Sequence, residues 1–148
     1  MTAGTTHEST TPAETESLGA ALAAQLRPGD VVLLYGEMGA GKTTFVRGAV
    51  RALGHDGPVT SPTYTIARRY EGGPVPVAHL DLHRLASLED EDPGFLADHV
   101  GPDAIAFLEW PEIAEGAEQL TDDAGVRIAA RVHLGHVAPE RRSVRIEP

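Results

Sequence analysis

The chain has no cysteine and no asparagine, and only one lysine in its 148 residues. Without cysteine, neither a disulfide framework nor a thiolate metal site can form. With no asparagine, and no lysine after Lys42, the chain cannot carry the N-K-x-D motif by which GTPase switches select guanine. Positive charge is also scarce: 12 basic against 22 acidic residues give a formal charge of −10. Nucleic-acid binders gather Lys and Arg against the phosphate backbone, so a broad direct grip on RNA is not expected here. Any RNA should be held by a partner. No segment approaches the roughly 20 apolar residues that span a bilayer. The opening "MTAGTTHESTTPAETES" has neither the basic start nor the apolar stretch of a leader. A soluble cytoplasmic protein without membrane contact is the expectation.

The length and the 41 % hydrophobic content suit one domain with one core. Residues 1–10 are Thr/Ser/Glu-rich and read as a frayed tail with nothing to bury, which leaves 11–148 as the domain. "TPAE" opens a helix, with Thr11 as N-cap, Pro12 in the first turn and Glu14 as the capping-box carboxylate. Leu18, Ala21, Leu22 and Leu26 form its apolar face. "RPGD" ends it, and Val31 to Tyr35 read as a buried parallel strand. A second helix follows from Lys42, with Phe45, Val46, Ala49, Val50 and Leu53 on one face and Gly54 as its stop. "TYTIARRY" and "VPVAHLDL" flank the glycine turn "EGGP" as a hairpin, and "AIAFL" (104–108) is a second buried strand. The acidic stretch "ASLEDEDPGFLADHVG" reads as one or two helical turns, and "GVRIAARVHL" and "RRSVRIEP" as antiparallel strands that close the sheet. The fold class is α/β: a mixed sheet of parallel core strands with antiparallel hairpin and edge strands, flanked by helices.

Between the first strand and the second helix lies "GEMGAGKTT", residues 36–44. Gly36, four residues, then Gly41-Lys42-Thr43 fit the G-x-x-x-x-G-K-[ST] phosphate loop, in the strand-loop-helix context that gives this motif its meaning. Gly36, Gly39 and Gly41 let the backbone between Glu37, Met38 and Ala40 curl so that its N–H groups converge, and the helix adds the positive end of its dipole. Lys42 offers a point charge to β and γ phosphates, Thr43 a hard oxygen to Mg²⁺, and Thr44 a donor to the α phosphate. Hydrolysis also needs carboxylates to fix the metal and align a water. Glu109 follows a buried strand at the edge where open α/β sheets bind ligands, and Asp81 follows "VAHL" in the same way. By position alone, either is equally a solvated strand-end carboxylate. His79 and His83 alternate around Asp81 and are read as polar residues on the opposite face, without a second ligand at metal spacing. Thr60, Ser61 and Thr63 in "TSPTY" stand where phosphate-loop proteins sense the γ phosphate, or form a Pro-rich turn and nothing more. Trp110 is either core packing or a flank of the nucleotide site.

"GEMGAGKTTF", "SPTYTIARRY", "HLDLHRL" and "FLEWPE", in this order, resemble the TsaE (YjeE) family over residues 11 to 115. This is the bacterial ATPase subunit of tRNA threonylcarbamoyladenosine biosynthesis. The resemblance implies ATP and Mg²⁺ as ligands and a TsaD-TsaB complex as partner, which transfers the carbamoyl group to adenosine 37 of tRNAs reading ANN codons. It implies that the chain meets tRNA only indirectly. It also makes Thr43 and Glu109 the Mg²⁺ site, Asp81 a metal or water-orienting carboxylate, and Thr63 a switch residue. His83 stands where the family usually has an aromatic residue, and no residue beyond Glu112 is assigned a base contact. No arginine is placed by the sequence as an arginine finger, so slow turnover without partners is expected. The rival reading is a small-molecule phosphate-loop kinase, with Arg68, Arg69 and Arg84 as candidate lid residues. A nucleotide-sensing adaptor without useful hydrolysis is the third.

Overall fold

The apolar run after "RPGD" forms strand β2, Asp30–Tyr35, in which Val31 to Leu34 have no solvent exposure. Burial on both faces is what a central parallel strand requires, and it explains why the run shows no alternation. A computed structural model describes residues 4–37, 39–55, 59, 67–82, 100–111 and 125–148. The acidic segment 83–99, which carries most of the expected helical turns, and residues 112–124 lie outside them.

Among the described residues there are two helices, α1 (Pro12–Ala23) and α2 (Lys42–Ala52), and six further strands: β1 (Thr5–Ser9), β3 (Ala67–Tyr70), β4 (Val77–Asp81), β5 (Ile105–Glu109), β6 (Arg127–Ala138) and β7 (Arg141–Glu147). They form one sheet in the order β1-β7-β6-β2-β5-β4-β3. β2 pairs in parallel with both β5 and β6, and β5 in parallel with β4. β3 is antiparallel to β4 across the "EGGP" turn, as the hairpin reading expects. The mixed α/β sheet of the sequence reading is present, with one refinement. β6 and β7 are antiparallel to each other, but β6 joins the sheet in parallel beside β2.

That placement matters, because β6 flanks the strand that leads into the glycine loop 36–41. Period two divides the sheet residues between two cores. Val32, Leu34, Ile105, Phe107, Val132 and Val144 face the helices with Phe45, Val46, Ala49 and Val50 of α2. Val31, Leu33, Leu80, Ala106 and Leu108 make the core of the other face.

The Thr11 hydroxyl accepts the Glu14 N–H at 3.1 Å, which makes it the N-cap, and the Glu14 carboxylate accepts the hydroxyls of Thr10 and Thr11. At the C-terminal end of α2, Gly54 (φ 96°) and His55 donate back to the carbonyls of Arg51 and Val50, closing the helix in a Schellman arrangement. Two expectations fail here for physical reasons. Residues 5–9 are not a frayed tail: they pair antiparallel with β7, from Thr5 opposite Ile146 to Ser9 opposite Arg142. An edge strand is held by backbone hydrogen bonds rather than by apolar side chains, so a polar sequence conceals it. Ser9 is buried, and its hydroxyl meets Thr15 at 2.6 Å and the Thr11 carbonyl at 2.9 Å, tying β1 to α1. On α1, Leu18, Leu22 and Leu26 pack inward as expected, but Ala21 is exposed, and Thr15, Gly19 and Ala23 are buried in its stead.

Gly19 takes that place because α1 and α2 approach until their backbones touch. A Cβ on Gly19 would lie 2.1 Å from the Phe45 carbonyl oxygen, and one on Gly48 would lie 2.0 Å from that of Glu16. Neither distance is sterically possible without separating the helices. Gly48→Ala should therefore destabilise the fold by about 1–3 kcal/mol or more, read as a lowered midpoint of thermal unfolding. An unchanged midpoint would mean that the helices are not in backbone contact.

Candidate nucleotide site

β2 ends at Tyr35 and α2 begins at Lys42, so residues 36–41 turn the chain from the C-terminal edge of the sheet into a helix. Gly36 has φ 149°, and a Cβ there would lie 2.5 Å from the Leu134 carbonyl oxygen of β6. The loop is thus seated directly on the neighbouring strand, and only glycine fits at its start. Gly41, at φ 105°, is the N-cap of α2 and supplies no side-chain cap. A helix start built this way favours an anion. Gly39 has φ 79° with nothing within 4 Å of a Cβ position, so the loop faces open space there.

Lys42 is buried, and its ammonium donates to the carbonyls of Gly36 at 2.5 Å and Glu37 at 3.0 Å. The same ammonium lies 4.1 Å from the centroid of the Trp110 ring. Trp110 is the one non-glycine at positive φ among the described residues, at 59°, and its N–H bonds the Leu34 carbonyl at 3.2 Å. The unusual backbone and the cross-strand bond bring the indole beneath the lysine, where its π face attracts the cation. Trp110 also packs on the second core cluster, as the core-packing reading expects.

A carboxylate stands across the loop. Glu109, the last residue of β5, is 3 % exposed. The Thr43 hydroxyl donates to its Oε2 at 3.1 Å and is 3.4 Å from Oε1. His79 Nε2 meets Oε2 at 2.5 Å from a fully buried position on β4. Asp81, the last residue of β4, pairs in register with Glu109 and is 9 % exposed. Two carboxylates thus end adjacent parallel strands on the α2 side of the sheet, where side chains at alternate positions share a face. The same rule corrects the placing of His79, which stands two residues from Asp81 and shares its face. An opposite-face reading of a residue at that spacing contradicts the strand period, so the signal was present in the sequence.

Of the expected site residues, Gly36, Glu37, Gly39, Ala40, Gly41, Lys42, Thr43 and Thr44 form the loop and the first helical turn, with Asp81 and Glu109 beside them. Met38, Thr60, Ser61, Thr63, His83 and Arg84 lie outside the described residues. Sequence reasoning missed two contacts. One is His79 on Glu109. The other is Arg142 of β7, whose Nη2 is 3.4 Å from the Gly39 carbonyl oxygen. No motif or spacing marks Arg142, because its position depends on β6 and β7 lying beside β2.

The donor set suits Mg²⁺ with a nucleotide: a threonine hydroxyl and one or two carboxylates supply hard oxygens, and this cation takes its remaining ligands from phosphates and water. In the chain itself, the buried Glu109 carboxyl group is met by the Thr43 hydroxyl and the His79 imidazole. His79→Gln and Glu109→Gln, measured singly and together by denaturant unfolding, should show a coupling energy of about 1 kcal/mol or more. Additive effects would mean that the pair does not interact.

The sequence model of the family described as "Threonylcarbamoyl adenosine biosynthesis protein TsaE" matches residues 9–142. The Bacillus subtilis (strain 168) protein named "tRNA threonylcarbamoyladenosine biosynthesis protein TsaE" is 39% identical over 112 residues, 76% of this chain and 68% of that protein. A protein of the same name from Streptomyces coelicolor is 41% identical over 131 residues, 87% of this chain and 86% of its own length. The crystal structure of Bacillus subtilis YdiB superposes with a TM-score of 0.73 at 26% identity, covering 99% of this chain and 86% of that one. With a match over nearly the whole length, and with the loop and its carboxylates in one site, this chain belongs to the TsaE family of threonylcarbamoyl adenosine biosynthesis proteins.

Proposed function

We propose that this protein is a Mg²⁺-dependent ATPase of tRNA threonylcarbamoyladenosine biosynthesis. It acts on a TsaD-TsaB complex that modifies adenosine 37 of tRNAs reading ANN codons, and does not itself touch the base. The observation that carries the reading is the contact between Thr43 at the head of the phosphate-loop helix and the buried Glu109 across the sheet, 3.1 Å apart. A merely structural glycine turn has no use for a buried carboxylate held against its first helical hydroxyl.

In this reading Thr43 and Glu109 would hold Mg²⁺, which would supply positive charge to the phosphates of the nucleotide. The protein's own groups do the rest. Lys42 exchanges its loop carbonyls for phosphate oxygens, and Trp110 holds the ammonium in line meanwhile. His79 fixes the orientation of Glu109. Asp81, beside Glu109, orients the attacking water. The net charge of −10 favours docking on a protein partner over gripping tRNA.

Of the kinase alternative's candidate lid residues, Arg69 lends it no support. Arg69 is paired with Glu71 at 2.6 Å and with Asp103 at 2.7 Å, and Asp103 precedes β5, at the opposite end of that strand from Glu109.

ATP hydrolysis by the purified protein should be slow alone and accelerated by TsaD, TsaB and tRNA from the same source. Lys42→Ala should lower the stimulated rate on the order of 100-fold. Phosphorylation of a small hydroxyl acceptor, with indifference to the partner proteins, would favour the kinase.

A further inference from the structure

The C-terminal hairpin walls the phosphate loop on the side away from the carboxylates. The sheet order places β6 and β7 on one flank of β2 and β5 and β4 on the other. Leu134 and Arg142 meet the loop from the hairpin: a Cβ on Gly41 would lie 3.6 Å from Leu134 Cδ2, 3.4 Å from Arg142 Cδ and 3.7 Å from its Nε. Arg142 shares its strand face with Val144 and Ile146, which pack into the helix-side core and hold its stem in place.

The partners of this arginine do not match its charge. Arg141 pairs with Glu8 at 3.9 Å, and Arg145 with Glu147 at 2.8 Å. Arg142 between them has no ion pair among the described residues, although the chain holds 22 carboxylates. Among the described residues its Nη2 makes one long contact, 3.4 Å, to the Gly39 carbonyl, and its Nε is buried without a hydrogen-bond partner. An N–H of a permanent cation left unmet in a buried position costs stability unless an acceptor arrives. The guanidinium fork fits two oxygens of one phosphate, and the glycine loop beside it is shaped for phosphates.

We infer that Arg142 is a second phosphate-binding cation of this site, which grips the nucleotide from the hairpin flank while Thr43 and Glu109 act from the other. The inference rests on the nucleotide reading of the loop. It makes the C-terminal hairpin part of the binding site rather than an edge that only closes the sheet.

Titration calorimetry of ADP and ATP, with and without Mg²⁺, tests it on wild type, Arg142→Ala and Arg142→Gln. Arg142→Ala should weaken both nucleotides about 10- to 100-fold, with and without Mg²⁺, while the unfolding midpoint of the nucleotide-free protein stays near that of wild type. Arg142→Gln keeps the stem and two N–H donors but loses the charge, so it should weaken binding with the fold intact even if the alanine variant is poorly folded. Wild-type affinity in Arg142→Gln overturns the inference while leaving the nucleotide reading in place. So does a loss of affinity in Arg142→Gln matched by a loss of its nucleotide-free stability, which would make the arginine a brace for the loop. A wild type that binds neither nucleotide overturns the nucleotide reading itself, and this inference with it.

Discussion

A buried carboxylate organises this molecule. Glu109, 3 % exposed at the end of β5, is satisfied by a hydroxyl from α2 and an imidazole from β4. A polar group in that position is tolerated only while its hydrogen bonds are made, so three elements distant in sequence are held to one register. The same bonds bring the first turn of α2 against the sheet edge where Lys42 and the glycine loop already stand. Position and chemistry thus come from a single cluster, and a site assembled this way has little freedom to drift.

The sheet order then gives the loop two unlike flanks. Parallel pairing of β2 with β5 brings in Glu109, and through β4 Asp81 and His79; parallel pairing with β6 brings in the Leu134 carbonyl and, through β7, Arg142. One flank is acidic and suits a cation, while the other carries a guanidinium and suits phosphate. Glycine is required at both joints: Gly36 lets the loop rest on β6, and Gly48 lets the helix rest on α1. The chain is acidic overall, so this local sorting of charge is a property of topology rather than of composition.

Much of the fold was legible in local patterns. The buried run Val31–Tyr35, the Thr11 cap, the apolar face of α2 with its Gly54 stop and the "EGGP" hairpin all follow from periodicity, capping and turn chemistry, which act within a few residues. The glycine loop between a buried strand and a helix was legible for the same reason. What escaped depends on contacts between distant segments. Thr5–Ser9 looks like a tail because an edge strand needs only backbone partners, and β7 supplies them. Gly19 replaces Ala21 on the inner face of α1 because α2 comes within backbone contact. Arg142 reaches the loop because β6 lies beside β2, which no spacing in the sequence encodes. The placing of His79 is a different case: strand period alone puts it on the face of Asp81 and Glu109.

The central claim is that Thr43 and Glu109 hold the metal of a nucleotide seated in residues 36–43. A crystal structure of the protein with Mg²⁺ and a non-hydrolysable ATP analogue tests this most directly. The phosphates are expected within the glycine loop, with a magnesium ion between the Thr43 hydroxyl, the Glu109 side of the site and the β and γ phosphates. A nucleotide bound elsewhere, or phosphates in the loop with the metal remote from both residues, would contradict it.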